Sequence, residues 1–378
     1  MTGRVYQRDK SRRDVWQLII ELGRDENGTR RWKYESVHGT KGHAKKLLRQ
    51  RLTELESPDY VEPTDVTFGE FLRSWHADHA RHHLSPRAHE SNGYMIERHL
   101  VPALGAHKLD KLRAMHLEAY YSERLDAGLA PSSVRKHHNI IHAALRHAVR
   151  LQLIAVSPAD LAVPPRVKRT EMLVLSEEEA GAMLHAADGT HLSMPLLMAL
   201  ATGMRRGELL GLHWSDLDLE AGAATVNRSL QQAYGRLELK EPKTARSRRA
   251  VTLPGIVTES LRAHRAEQAR RTLAREPGWT DSEYVLAAPH GGPWKPADFD
   301  HAWRRFKRRE RIAIRFHDLR HTHATQLLKA GVNIKVISER LGHASISITL
   351  DTYSHVMPGM QEEAAEKIDA GLRRALAG

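Results

Sequence analysis

The sequence predicts a multidomain protein, mainly α-helical with small β-sheets: a small α+β domain in front, an all-α domain in the middle and a mixed, mainly α domain behind. Three observations lead there. A chain of 378 residues favours two or three domains, each able to bury its own core. Two proline-bearing stretches read as linkers, Ser57-Pro58-Asp59-Tyr60-Val61-Glu62-Pro63-Thr64-Asp65 and the segment from Ser157-Pro158 through Pro164-Pro165 to about Thr170. Apolar alternation marks the front of the chain and helical periodicity its middle.

In the front unit, residues 1–56, Trp16, Leu18, Ile20 and Leu22 alternate along one strand. A Glu26-Asn27-Gly28 turn follows, then Trp32 and Tyr34 alternate on a second strand before a basic helix from Lys41 to Leu55. The middle unit, residues 64–160, carries four amphipathic stretches: Val66 to Trp75, Arg87 to Leu100, Met115 to Ala127 and Ser132 to Leu151. Pro131-Ser132-Ser133 suits the start of the last. In the back unit, residues 170–378, the apolar run Leu196 to Ala201 is interrupted by Thr202-Gly203. Arg205 then opens a helix reaching Leu212. Further on, a helix runs from His317 to Leu328, ended near Gly331, and Asn333 to Leu341 forms another, closed by Gly342. Ala364, Ile368 and Leu372 share a face of a C-terminal helix suited to packing on a neighbouring protomer.

Charge points to a polyanionic partner. Lys and Arg total 58 against 46 Asp and Glu, a net charge of +12. Residues 1–55 hold 14 Lys/Arg and 7 Asp/Glu, so +7 of that excess lies in the first seventh of the chain. Zero cysteines exclude disulfides, thiolate metal sites and a cysteine nucleophile. No apolar run approaches the roughly 18 residues of a membrane span, and the basic N-terminus lacks a signal-peptide core, so a cytoplasmic protein is expected. Among 25 histidines, His76, His79, His82 and His83 read as a solvated helix face.

An ordered set carries the chemistry: Arg205, Lys243, His317, Arg320, His343 and Tyr353. A phosphodiester under attack spreads negative charge over its non-bridging oxygens, which cations must surround. Arginine forks meet phosphate bidentately, which suits Arg205 and Arg320. The Tyr353 hydroxyl is a candidate nucleophile that would hold the DNA end covalently. Lys243 is placed to protonate the departing deoxyribose oxygen, with Lys240 three residues earlier as its rival. Glu208, at i+3 from Arg205, can brace it, or be a simple surface residue. His343 could merely cap a helix, but it stands ten residues before Tyr353. His317 and His321 at i and i+4 suggest a zinc pair, yet that signature wants Glu after the first histidine and here it is Asp318; no metal is expected.

These boxes resemble those of the tyrosine recombinases of the phage integrase family, over roughly the last 210 residues. Thr202-Gly203-Met204-Arg205-Arg206-Gly207-Glu208-Leu209 matches the first arginine box and selects Arg205 over Arg206. Pro242-Lys243-Thr244, followed by the strand-like Ala250-Val251-Thr252-Leu253-Pro254, resembles the β-hairpin lysine. Phe316-His317-Asp318-Leu319-Arg320-His321-Thr322 is similar to the His-x-x-Arg box, Leu341-Gly342-His343 to the second histidine box, and Asp351-Thr352-Tyr353-Ser354-His355 to the nucleophile box.

The resemblance implies a 170–378 catalytic domain of the tyrosine recombinase type, a 64–160 helical core-binding (SAM-like) domain and a 1–56 arm-type DNA-binding domain. DNA-contact candidates are Arg4, Arg8, Arg12, Arg13, Arg30, Arg31 and Lys33 in front, with Arg135, Lys136 and His137 in the middle. It further implies a site-specific integrase of a phage or integrative mobile element, working through a 3′-phosphotyrosyl link on double-stranded attachment sites. Four copies would assemble on DNA, with an accessory bending or excision factor and no cofactor. A chromosome-dimer-resolving recombinase, a non-catalytic DNA-binding regulator using Val332 to Thr349 as a helix-turn-helix, and a metal-dependent nuclease are the alternatives.

Overall fold

The computed structural model describes residues 2–7, 14–24, 28–56, 64–168, 172–241, 248–281, 283–353 and 360–377, the side chains of 360–364, 367 and 377 excepted. The chain falls into two compact units, Met1–Lys168 and Arg169–Gly378.

The first unit opens with an antiparallel sheet of β1 (Gly3–Tyr6), β2 (Val15–Arg24) and β3 (Arg30–His38), followed by α1 (Lys41–Glu56). Alternation sends Leu18, Ile20 and Val37 to the side covered by Ala44, Leu48 and Leu55 of α1, where Trp16 also packs. The strand β1 lies outside the sequence expectation, being too short to show a pattern. The register Arg4↔Ile19↔Tyr34 puts Arg4, Tyr6, Trp32 and Tyr34 on the other face. There Tyr6, Trp32 and Tyr34 remain 52%, 39% and 60% exposed, so these aromatics do not build the core. Lys33 stands opposite Ile20 on the α1 side.

A second core, sharing no member with the first, is built by four helices, the helical turns that continue two of them to His83 and Leu104, and the segments between and after them. They are α2 (Phe68–Ser74), α3 (Pro86–Met95), α4 (Ala114–Asp126) and α5 (Pro131–Arg150). Thr67 and Glu70 close a capping box on α2, and Ser85 caps α3. The first helix runs past its expected end at Trp75 through the wide turns of Trp75–Ala80 to His83. Of the histidines there, His82 and His83 are exposed as expected, whereas His76 and His79 are half-buried. His76 and His89 stack at 3.8 Å, each Nε2 donating to the other's carbonyl at 2.9 Å, and His79 stacks on His83 and His147. His137 is fully buried, its Nδ1 2.8 Å from the Tyr120 hydroxyl. Its i+3 and i+4 neighbours Ile140 and Ile141 face the core with it, which removes it from the candidate phosphate contacts.

The second unit begins with α6 (Glu177–Ala187), α7 (Ser193–Thr202) and the short α8 (Arg206–Leu210). A small sheet follows in the order β4 (Leu217–Asp218), β5 (Ala223–Val226), β8 (Arg249–Thr252), with a separate hairpin of β6 (Ser229–Ala233) and β7 (Arg236–Lys240). Tyr234 and Gly235, both at positive φ, make the hairpin's two-residue turn. Then come α9 (Gly255–Leu273), α10 (Pro296–Arg309), α11 (Asp318–Lys329), α12 (Ile334–Leu341), α13 (Ile346–Tyr353) and α14 (Met360–Ala377). The apolar α7 is buried on most sides because it packs against α6, α9 and α11. On α14, Ile368 and Leu372 are exposed; the side chain of Ala364 lies outside the described set.

Gly203 ends α7 at φ +63, and a Cβ there would lie 2.7 Å from His323 and 2.8 Å from Leu341. Gly189 has a similar φ of +66 but open space around it. We predict that Gly189→Ala costs about 1–2 kcal/mol, the left-handed penalty alone. Gly203→Ala should cost clearly more. Chemical unfolding of both variants checks this, and equal losses would mean that the close approach at Gly203 is not felt.

Candidate active site

The site is assembled where α7 and α12 end. Past Gly203 the chain is extended at Arg205, which forms the N-cap of α8 and sets Glu208 three residues on. The Arg205 backbone N–H donates to Glu208 Oε2 at 2.8 Å, and its Nη1 to Oε1 at 2.9 Å. Arg249, the first residue of β8, brings a second fork to the same carboxylate, at 3.2 and 2.8 Å, while its Nε donates to the Arg340 carbonyl at 2.7 Å. Burial alone would raise the Glu208 pKa. The hydrogen bonds and charge of Arg249, with those of Arg205, hold it down to about 2 instead.

Arg320, buried on α11, donates from Nη1 to the Gly203 carbonyl at 2.7 Å and from Nη2 to the Leu341 carbonyl at 2.6 Å. It thereby ties the ends of α7 and α12 together. Burial first, and then the positive charge of Arg205, lower its pKa to about 9, so it stays protonated at neutral pH. The Gly342 residue closes α12 at φ +66, and its carbonyl stands 3.4 Å from Arg205 Nη2. His343 follows, with Nδ1 2.8 Å from the hydroxyl of buried Thr349, a partner beyond any cap. Burial, then Arg320 and Arg205, push its pKa to about 4. His317 stands at the start of α11 with part of its ring open to solvent; the packing of the rest of the ring, then the charge of the same two arginines, lowers its pKa.

Tyr353, the last residue of α13, is 1% exposed. Its hydroxyl lies 2.8 Å from His321 Nδ1, and burial raises its pKa to about 12 against the opposing pull of Arg320. An open pocket of about 620 Å³ is lined by Arg205, Lys240, His317, Arg320, His321 and His343. Arg206, by contrast, is paired with Asp300.

Four of the six sequence-derived residues, Arg205, His317, Arg320 and His343, therefore line one space together with Glu208, and Tyr353 joins its edge through His321. Lys243 lies outside the described residues. Lys240, at the end of β7, lines the pocket with its Nζ 3.7 Å from Glu238. Of the other candidates, Arg8, Arg12 and Arg13 lie outside the described residues, while Arg4, Arg30, Arg31 and Lys136 are exposed. Arg135 donates through Nε and Nη2 to the Pro165 carbonyl, at 3.2 and 2.8 Å. Sequence reading missed Arg249, whose partner lies 41 residues away. It took His321 only as half of a zinc pair, although its spacing from His317 already put it on the site's face of α11.

Guanidinium groups around a pocket, with a buried hydroxyl beside an imidazole, are an arrangement suited to phosphoryl transfer. Comparison with known proteins agrees. The phage integrase family model matches residues 174–359, and the phage integrase N-terminal SAM-like domain model matches residues 67–125. A tyrosine recombinase XerC-like protein of Caldanaerobacter subterraneus subsp. tengcongensis is 28% identical, over 95% of this chain and 97% of that protein. The ICEBs1 integrase of Bacillus subtilis is 24% identical, over 94% and 96%. Among solved structures, the Tn1549 transposon integrase in complex with a circular intermediate DNA superposes with a TM-score of 0.67 at 19% identity, over 80% of this chain and all of that one. The chain belongs to the phage integrase family of tyrosine recombinases.

Glu208 gives a pH-dependent test. Its folded-state pKa lies below the ordinary carboxylate value, so its stabilisation is fully present above about pH 4.5 and fades as pH falls toward 2. A depression of that size corresponds to about 3 kcal/mol. Glu208→Gln should therefore be destabilised by several kcal/mol at neutral pH, because it also strands the buried Arg249. Denaturant unfolding across pH should show the gap from wild type closing between pH 4.5 and 2; a gap independent of pH would refute the assignment.

Proposed function

We propose that this tyrosine recombinase is the integrase of a temperate phage or other integrative mobile element, and that Tyr353 is its nucleophile. One observation carries the reading: Arg205, Arg320, His317 and His343 line one pocket, and the buried Tyr353 hydroxyl reaches its edge through His321. In this reading the scissile phosphate sits between Arg205 and Arg320, whose remaining N–H donors meet its non-bridging oxygens as charge develops. Glu208 and Arg249 hold Arg205 in place. His317 and His343 add hydrogen bonds at the pocket wall. Attack by the Tyr353 oxygen would leave a 3′-phosphotyrosyl link and a free 5′-hydroxyl, conserving the bond energy for rejoining. A lysine at or just beyond the end of the β6–β7 hairpin protonates the leaving oxygen, Lys243 by its motif or Lys240 by its place on the pocket.

The same reading divides the chain into three domains, 1–56, 64–160 and 170–378, the last catalytic. The middle helices would clamp core DNA, with exposed Lys136 as a phosphate contact. The open sheet face bearing Arg4, Tyr6, Trp32 and Tyr34 would read arm sites in the major groove. Four copies acting on two attachment sites complete strand exchange, in the cytoplasm of a bacterial host where the DNA lies. The front sheet favours this over chromosome-dimer resolution, whose enzymes in this family usually lack an arm-binding domain.

The test uses nicked duplexes tiling the DNA that flanks the protein's own gene. Arg205→Ala and Arg320→Ala should each slow strand cleavage by roughly 100-fold or more while still binding DNA. Of Lys240→Ala and Lys243→Ala, one should lose cleavage and regain it on a 5′-bridging phosphorothiolate, whose thiolate leaves without a proton. Mild effects from both arginines would refute the proposed clamp.

A further inference from the structure

The helix α11 presents His317, Arg320 and His321 at i, i+3 and i+4, on one face. His317 and Arg320 belong to the phosphate side of the proposed site. His321 turns instead to the tyrosine, with Nδ1 2.8 Å from its hydroxyl. That is the separation at which a proton can pass. Because Tyr353 is 1% exposed, its hydroxyl meets this imidazole rather than bulk water. His317 stands edge-on to His321 at 5.2 Å between ring centres, and among the described residues no hydrogen bond joins His317 to Tyr353.

We propose that His321 takes the Tyr353 proton during strand cleavage and returns it during rejoining. The inference rests on the reading of Tyr353 as nucleophile. In the starting state the neutral ring carries its hydrogen on Nε2, leaving the Nδ1 lone pair to accept from the phenol. As the Tyr353 oxygen bonds to phosphorus, its proton passes to Nδ1 and the ring becomes imidazolium. The bond from phosphorus to the 5′ oxygen breaks with its electron pair on that oxygen, which is protonated by the hairpin lysine's ammonium. Rejoining reverses each transfer, so no proton or electron is gained or lost over the cycle.

The surroundings suit the task. His321 faces His317, Asp318, Arg320 and Arg315 from α11 and its lead-in, Tyr353 from α13, and His343 from the turn after α12. Burial first, then the neighbouring His317, bring its pKa to about 4, so at neutral pH the ring is uncharged and Nδ1 is open. A phosphate bound beside Arg320 would offset the positive charge that opposes imidazolium. The ring thus becomes more basic when the substrate is in place.

His321→Asn separates proton transfer from positioning, because the asparagine amide can hydrogen-bond the hydroxyl from the place of Nδ1 but cannot take its proton. Wild type, His321→Asn and Tyr353→Phe are compared on the same tiled nicked duplexes, each with an oxygen or a bridging sulfur at the 5′ position. Gel-shift assays confirm that each variant still binds. We expect His321→Asn to form the covalent adduct roughly 100-fold more slowly at neutral pH on both substrates. Its rate should climb with pH as the phenol ionises unaided. Cleavage by His321→Asn within a few-fold of wild type would overturn the proposal, as would full rescue by sulfur, which would place the defect at the leaving group. If wild type itself forms no Tyr353-dependent adduct on any duplex, the nucleophile reading fails first and takes this proposal with it.

Discussion

Three guanidinium groups crowd around one buried carboxylate, and the rest of the site depends on how that charge is held. Arg205 and Arg249 share Glu208, while Arg320 lies close enough to both that each lowers its pKa. Unopposed, three such cations would repel one another and draw in water. Two devices prevent this. Glu208 supplies a full negative charge, and the ends of α7 and α12 supply partial ones through unsatisfied carbonyls. Gly203 and Leu341 accept from Arg320, Arg340 accepts from Arg249, and Gly342 faces Arg205. Gly203 and Gly342 adopt the left-handed conformation that ends each helix there. What remains is a net positive, preorganised pocket, the condition for stabilising charge on a phosphate without reorganisation.

The arrangement also explains why residues without chemistry of their own matter. Arg340 donates to the Ala201 and Thr252 carbonyls, linking α12 to the end of α7 and to β8. Buried His323 donates to the Leu200 carbonyl from the ring nitrogen facing it, and Arg340 donates to the other nitrogen, so α11 is tied to both α7 and α12. Movement of any of these elements would be felt at the arginines.

Much of this was legible in the sequence, and the limits are physical. Boxes whose members lie three or four residues apart, Arg205 with Glu208 and His317 with Arg320, were readable because helical geometry alone brings them together. Gly203 and Gly342 were readable as helix ends. Arg249 was not, because its partnership with Glu208 is made only when β8 closes on α8. His137 was misjudged because a polar residue near the start of a helix looks exposed until Tyr120 is seen to receive it. In the front unit, alternation gave β2 and β3 but not the four-residue β1, and with it the exposed face of Tyr6, Trp32 and Tyr34.

The central claim is that Tyr353 attacks a phosphate held by these arginines. The most direct test incubates wild-type protein with nicked duplex from beside its own gene in the presence of EDTA, isolates the covalent adduct and maps it by peptide mass spectrometry. The account predicts one modified peptide carrying DNA through Tyr353, joined to a 3′ phosphate and absent from Tyr353→Phe. Tight binding without an adduct on any duplex, an adduct that requires metal, or one that maps to another residue would contradict it.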